Sequence, residues 1–124
     1  MPQGAREDFF AFVLVVVAGV SFAAENPVVG TWESESEDGN RSVKIYSETH
    51  FTVFLDTTDG TFRRAHAGTY VLEGNKVIEK VQRSSLPEAI GFEATHEFTI
   101  TGDTWHSTRN SSDGPIEETW TRVK

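Results

Sequence analysis

A chain of 124 residues without cysteine is long enough for one folded domain, which an apolar core must stabilise without disulfides. Its formal net charge of −8 argues against nucleic-acid backbones and anionic membrane surfaces as partners, because both attract basic patches. We expect this charge to serve solubility.

The N-terminal segment predicts export. Residues 9–22 form an uncharged apolar run that is short for a transmembrane span and soon gives way to polar sequence. Ser21-Phe22-Ala23 matches the small-x-small pattern of a signal-peptidase site. We therefore expect a signal peptide over 1–23, a mature domain over 24–124, and a secreted or periplasmic protein without membrane association. Because Glu7 and Asp8 offset Arg6, retention of the segment as an anchor stays open.

Period-two alternation of apolar and polar residues dominates the rest of the chain and predicts short strands between turns. The eight predicted strands are 28–35, 42–47, 50–56, 62–72, 76–83, 92–101, 104–109 and 116–123. Gly68 suggests a bulge in the fourth strand, and 85–91 is the only helix-like piece. Consecutive strands joined by tight turns predict an all-β, antiparallel, up-and-down meander. Pairing of the first strand with the last closes it into an eight-stranded barrel without exposed edges.

Alternation along the strands brings aromatic and titratable side chains to one predicted inner face. We expect its apolar wall to comprise Tyr70, Phe92, Phe98, Trp105 and Trp120. The candidate polar contacts on this face are His66, Glu79, His96 and Glu118. Buried charges are costly unless they are paired. Two interpretations remain open: the polar groups satisfy one another, or some of them bind the polar head of a ligand whose body packs on the wall.

The sequence resembles a known superfamily. Gly30-Thr31-Trp32 near the start and Trp120-Thr121-Arg122 at the end resemble the lipocalin and fatty-acid-binding superfamily, the calycins. More closely, residues 44–54, 67–81 and 101–124 look like the lipocalin-like domain of small secreted bacterial proteins, a family of unknown function. The resemblance implies an eight-stranded barrel with a Gly-x-Trp first strand, and no activity or catalytic residues.

The resemblance also implies a role for the two ends of the barrel sequence. In lipocalins the arginine equivalent to Arg122 packs on the Gly-x-Trp indole, so Gly30, Trp32 and Arg122 are expected to close the barrel. In fatty-acid-binding members an arginine at the comparable place binds the ligand carboxylate. The helical lid of those members has no counterpart here, which argues against long-chain fatty acids as ligands.

Sequence motifs for catalysis are lacking. There is no cysteine nucleophile, no Gly-x-Ser-x-Gly elbow and no phosphate-binding glycine loop, and the four histidines lack metal-ligand spacing. We therefore expect no metal and no cofactor, and a small apolar or amphipathic molecule as the partner. Two alternatives remain: a cell-envelope interaction module with a filled barrel, or a non-hydrolytic enzyme using Tyr70, Glu79, Glu118 and Arg122. The sequence does not indicate the oligomeric state.

Overall fold

The computed structural model describes residues 25–56 and 58–124, except for the side chains of Phe62 and Ser111. Eight strands lie in this part of the chain: β1 Gly30–Glu35, β2 Arg41–Tyr46, β3 His50–Asp56, β4 Phe62–Glu73, β5 Lys76–Ser84, β6 Glu93–Thr101, β7 Thr104–Ser111 and β8 Gly114–Arg122. A short 3₁₀ turn, Pro87–Ala89, separates β5 from β6. The predicted signal peptide, 1–23, lies outside the described residues. Within them, no helix has the length and apolarity needed to cross a membrane.

Each strand pairs antiparallel with its neighbour in sequence, and β1 pairs with β8, so the sheet closes into a barrel. In this last pairing Trp32 lies opposite Arg122 and Glu33 opposite Thr121. The Val123 amide also donates to the Thr31 carbonyl at 2.8 Å. The predicted all-β, up-and-down, eight-stranded barrel is confirmed.

Local sequence explains most strand limits. The first strand begins at Gly30 and not at residue 28, because the Val29 amide donates to the Asn26 carbonyl in a turn. The predicted bulge at Gly68 is present as a register shift between Ala67 and Gly68. A Cβ at Gly68 would lie 1.8 Å from the Lys80 carbonyl oxygen, so only glycine allows β5 to approach this closely.

The core fills one end of the barrel, which we call the base. The Trp32 and Trp105 rings pack edge to face there, with centroids 5.1 Å apart. The buried apolar cluster comprises Val28, Trp32, Tyr46, Phe51, Tyr70, Val77, Val81, Phe98, Trp105 and Trp120. This aromatic packing stabilises the barrel without disulfides.

Arg122 covers the base from outside. Its guanidinium lies 4.2 Å from the centroid of the Trp32 ring, and Nη1 donates to the Val29 carbonyl at 2.9 Å. The Trp32 indole Nε1 donates to the Val28 carbonyl, also at 2.9 Å. Gly30 has φ +137°, and a Cβ there would lie 2.7 Å from Arg122 Nη1. The glycine of the Gly-x-Trp motif therefore makes room for the arginine.

Candidate functional site

The other half of the barrel contains a cavity of about 390 Å³. Four residues belong both to the buried cluster and to the cavity wall, and they form the floor: Tyr46, Phe51, Val81 and Trp120. Phe92 also lines the cavity while 63% of it is exposed, so it marks the mouth. Leu86, just before the 3₁₀ turn, and Ala89, its last residue, line the cavity as well. The connection between β5 and β6 thus borders the opening.

A carboxylate, a phenol and an imidazole from three strands meet in the cavity wall. The Tyr46 hydroxyl on β2 donates a hydrogen bond to Glu79 Oε2 on β5. His96 Nε2 on β6 lies 3.3 Å from Glu79 Oε1. Burial alone would raise the pKa of Glu79, but His96, Tyr46 and the charge of Lys44 together lower it below its usual value. Burial and the Glu79 charge raise the pKa of Tyr46 well above 10, so the phenol remains a donor.

A lysine lies deep in the same cavity. Lys44 on β2 is only 4% exposed, and its Nζ lies 3.3 Å from the centroid of the Trp105 ring and 4.3 Å from that of Trp120. Within the described residues this ammonium makes no hydrogen bond and no ion pair. Burial lowers the pKa of Lys44 to about 7, although Glu79 and Glu118 act in the opposite direction.

The remaining polar groups lie higher on the wall. Glu118 Oε2 is 3.7 Å from Arg109 Nε, and its Oε1 accepts a hydrogen bond from the Trp120 indole at 3.4 Å. His66 Nδ1 lies 2.8 Å from the Ser84 hydroxyl, and burial, assisted by the charge of Arg64, lowers its pKa. Three basic side chains, Lys44, Arg64 and Arg109, thus face two carboxylates in a chain whose net charge is −8. The cavity does not share the acidic character of the whole chain.

Three buried polar atoms lack hydrogen-bond partners in the described structure: His96 Nδ1, Trp105 Nε1 and Ser107 Oγ. Buried polar atoms are normally paired, and each exception calls for an explanation. Of these three residues, His96 also lines the cavity. All three atoms are enclosed by the protein, so they add no accessible hydrogen-bonding group to the cavity.

The structure brings six of the nine sequence-predicted ligand contacts to the cavity: His66, Glu79, Phe92, His96, Glu118 and Trp120. The other three, Tyr70, Phe98 and Trp105, belong to the buried cluster and do not line it. The Tyr70 hydroxyl donates to the Ser47 carbonyl and accepts from Asn26 Nδ2 at 2.9 Å. These three face inward as expected, but they lie in the packed base.

The lining residues that were not among the predicted contacts include Lys44, Tyr46, Phe51 and Arg109. On β2 the branched residues Val43 and Ile45 alternate with Lys44, and local hydrophobicity would turn the lysine outward. The structure does the reverse and leaves Ile45 42% exposed. The register between β1 and β2 explains this orientation, because it places Lys44 directly opposite Trp32, and paired residues point to the same face of the sheet.

The four residues considered as a catalytic set do not converge. Glu79 contacts Tyr46 and His96, whereas Glu118 pairs with Arg109. Arg122 and Tyr70 are engaged at the base. Across 25–56 and 58–124, no group of three or more His, Asp or Glu side chains is arranged to hold a metal ion.

Fold and site together define an eight-stranded antiparallel β-barrel with an open, partly polar interior. No family model matches the sequence, and no curated protein matches it. Among solved structures the chain is similar to an uncharacterized protein from Bacteroides eggerthii, at 15% sequence identity and a TM-score of 0.49. The similarity covers 77% of this chain and 99% of that one. Because that protein is itself uncharacterized, it suggests no activity.

Proposed function

We propose that this protein is a lipocalin-like carrier that binds a small apolar or amphipathic molecule inside its barrel. The observation that carries the proposal is the cavity of about 390 Å³, where an apolar wall surrounds a few convergent polar groups. Ligand sites in proteins typically measure about 300–1,000 Å³ and have this mixed lining. The volume lies near the lower end of that range, which favours a metabolite-sized ligand over a long-chain lipid.

The polar groups support ligand binding over the filled-barrel alternative. In a purely structural interior, each buried polar group would find its partner within the protein. Glu79 and Glu118 have such partners, but the Lys44 ammonium lies over indole rings without a hydrogen bond or an ion pair within the described residues. A ligand with a polar head and an apolar body would use both this amine and the aromatic floor.

A pair of neighbouring substitutions tests the proposal. Ala94 lines the cavity, and Thr95, the next residue on β6, faces solvent. We expect Ala94→Trp to fill the cavity and abolish binding of the amphipathic fluorophore anilinonaphthalene sulfonate, whereas Thr95→Trp retains it. Circular dichroism must show both variants folded, and Val81→Phe serves as a second filling variant. Equal binding by all variants would contradict an interior site.

The natural ligand can be sought directly. Native mass spectrometry of protein purified from its own host is expected to show a mass excess that disappears on denaturation. The same preparation tests export: we propose that the mature chain begins at or near Ala24. Recovery of the uncleaved chain in a membrane fraction would contradict that processing.

A further inference from the structure

Lys44 is the group in the cavity whose position the proposed function explains least. A lysine amine buried within a barrel is normally held by a carboxylate, because an unpaired buried charge is costly. The nearby carboxylates are already engaged, Glu79 by Tyr46 and His96, and Glu118 by Arg109. Lys44 Nζ lies instead over the rings of Trp105 and Trp120. Their faces stabilise an ammonium only in part, and they leave a neutral amine free to react.

We propose that Lys44 forms a reversible imine with an apolar aldehyde held in the cavity. The inference rests on the proposed function, since the aldehyde must first occupy the barrel, and it narrows the ligand to a carbonyl compound. An apolar aldehyde matches the site because its body packs on Phe51, Trp120 and Val53 while its carbonyl carbon approaches the amine.

The chemistry needs no oxidant, reductant or cofactor. The lone pair of Nζ forms a bond to the carbonyl carbon, and one proton moves from this nitrogen to the carbonyl oxygen to give a neutral carbinolamine. An acid then donates a second proton to the hydroxyl, the nitrogen lone pair expels it as water, and the remaining N–H proton returns to the conjugate base of that acid to leave the neutral imine. The products are one imine and one water for each amine and aldehyde consumed.

Two features prepare Lys44 for this reaction. An ordinary lysine has under about 0.1% neutral amine at pH 7, whereas an amine with a pKa of about 7 is roughly half neutral. The proton transfers of carbinolamine formation and dehydration also have nearby donors and acceptors. Glu118 and His96 line the same cavity.

The exposed lysines provide internal controls. Lys76 and Lys80 lie in solvent on β5, and Lys124 pairs with Asp103 at 2.7 Å. None of these three lines the cavity. Selective reaction at Lys44 would therefore report the cavity and not the general reactivity of lysine.

The test traps the imine by reduction. The full-length protein is incubated with cinnamaldehyde and cyanoborohydride at about pH 7, and adducts are located by intact-mass measurement and peptide mapping. We expect one adduct per chain at Lys44, formed on the order of a hundredfold faster than at an exposed lysine. Lys44→Arg should abolish this adduct, Lys80→Arg should leave it unchanged, and Ala94→Trp should block it while Thr95→Trp does not.

Each other outcome has a defined meaning. Adducts at Lys76, Lys80 and Lys124 with Lys44 unmodified would overturn the imine proposal. If the fluorophore still binds in that case, the proposed function survives; if neither probe binds, both proposals fail. Tight binding of cinnamate that Lys44→Met abolishes, without any aldehyde adduct, would identify an anion site instead. Should Lys44→Arg fail to fold, Lys44→Met and the Ala94→Trp block still decide the result.

Discussion

At the base of the barrel, three polar side chains donate to backbone carbonyls, whereas the titratable groups of the cavity wall bond mainly to other side chains. Arg122 donates to the Val29 carbonyl, Trp32 to that of Val28 and Tyr70 to that of Ser47. In the cavity wall, Glu79 relies on a phenol and an imidazole, and Lys44 lies over aromatic rings. A backbone carbonyl does not titrate, so these three contacts do not depend on the protonation of their acceptors. Side-chain partners can change protonation or give way to a ligand, as a binding site requires.

The largest expected effect breaks the base. Trp32→Ala removes a fully buried indole and the ring on which Arg122 lies, and should lower the free energy of unfolding by about 3–5 kcal/mol. Phe92→Ala at the mouth is the matched control and should cost under about 1 kcal/mol, because Phe92 is largely exposed. Urea unfolding followed by circular dichroism measures both. Similar losses of stability for the two variants would mean that the base does not stabilise the barrel more than the mouth of the cavity does.

The next effect has the opposite sign. Lys44→Met replaces an unpaired buried amine with an apolar side chain of similar length, and should raise the free energy of unfolding by about 1–4 kcal/mol at neutral pH. Lys80→Met, on the outside of β5, should change it by less than about 0.5 kcal/mol. Thermal and urea unfolding of the three proteins provide the measurement. A loss of stability in Lys44→Met would show that the ring contacts outweigh burial.

The pH dependence gives a second test of Lys44. Its pKa falls from 10.5 to about 7 on folding, so between these values the unfolded chain binds more protons than the folded one. Wild-type stability should therefore rise with pH across this window. The advantage of Lys44→Met should be greatest below about pH 7 and shrink towards about pH 9, before tyrosine ionisation intervenes. A constant difference across this range would contradict the lowered pKa.

A smaller loss is expected at the carboxylate of the cavity wall. Glu79→Gln weakens the contacts with Tyr46 and His96 and should cost about 1–3 kcal/mol near neutral pH. Because folding lowers the pKa of Glu79 below 4.5, this contribution is present above that pH and is lost as the pH falls through the folded value. The deficit relative to wild type should shrink there. Glu97→Gln, on the exposed face of β6, is the matched control and should change the free energy of unfolding by less than about 0.5 kcal/mol.

The smallest effect on stability is expected at the mouth, where the effect on binding should be easier to detect. Phe92→Ser should change the free energy of unfolding by no more than about 0.5–1 kcal/mol relative to wild type, because little of the ring is buried. It should nevertheless weaken fluorophore binding several-fold, since Phe92 lines the opening. Ile90→Ser is the control, because Ile90 is exposed on the same connection but does not line the cavity. Fluorescence titration distinguishes them, and equal affinities would remove Phe92 from the site.

The base was easier to predict from the sequence than the cavity. Turn residues and alternation specify the strands, and Gly30, Trp32 and Arg122 belong to a recognisable pattern at the two ends of the sheet. Alternation also gives the face of each strand, but not the height of a residue along the barrel. Tyr70, Phe98 and Trp105 therefore face inward as expected and yet lie in the packed base. The position of a residue along the barrel axis depends on how neighbouring strands are staggered, and the sequence of one strand does not determine that stagger.

The cavity depends on relationships between distant parts of the chain. Tyr46 and Glu79 meet across the barrel although they belong to β2 and β5. Lys44 is turned inward by its register with Trp32, against the preference of a lone lysine between branched residues. A local pattern cannot reveal such a residue, because its burial is imposed by the pairing of the whole sheet.

The pairing of β1 with β8 also bears on the order of folding. Every other pairing joins strands adjacent in sequence, so its ends meet by closing a short loop. The pairing that brings Trp32 beside Arg122 must close nearly the whole domain into a ring, and the entropy lost grows with the length of chain enclosed. Hairpins can therefore form early, while the contact that defines the base requires most of the sheet to be in place. The pairing of β1 with β8 is therefore the step that converts a row of hairpins into a single cooperative barrel.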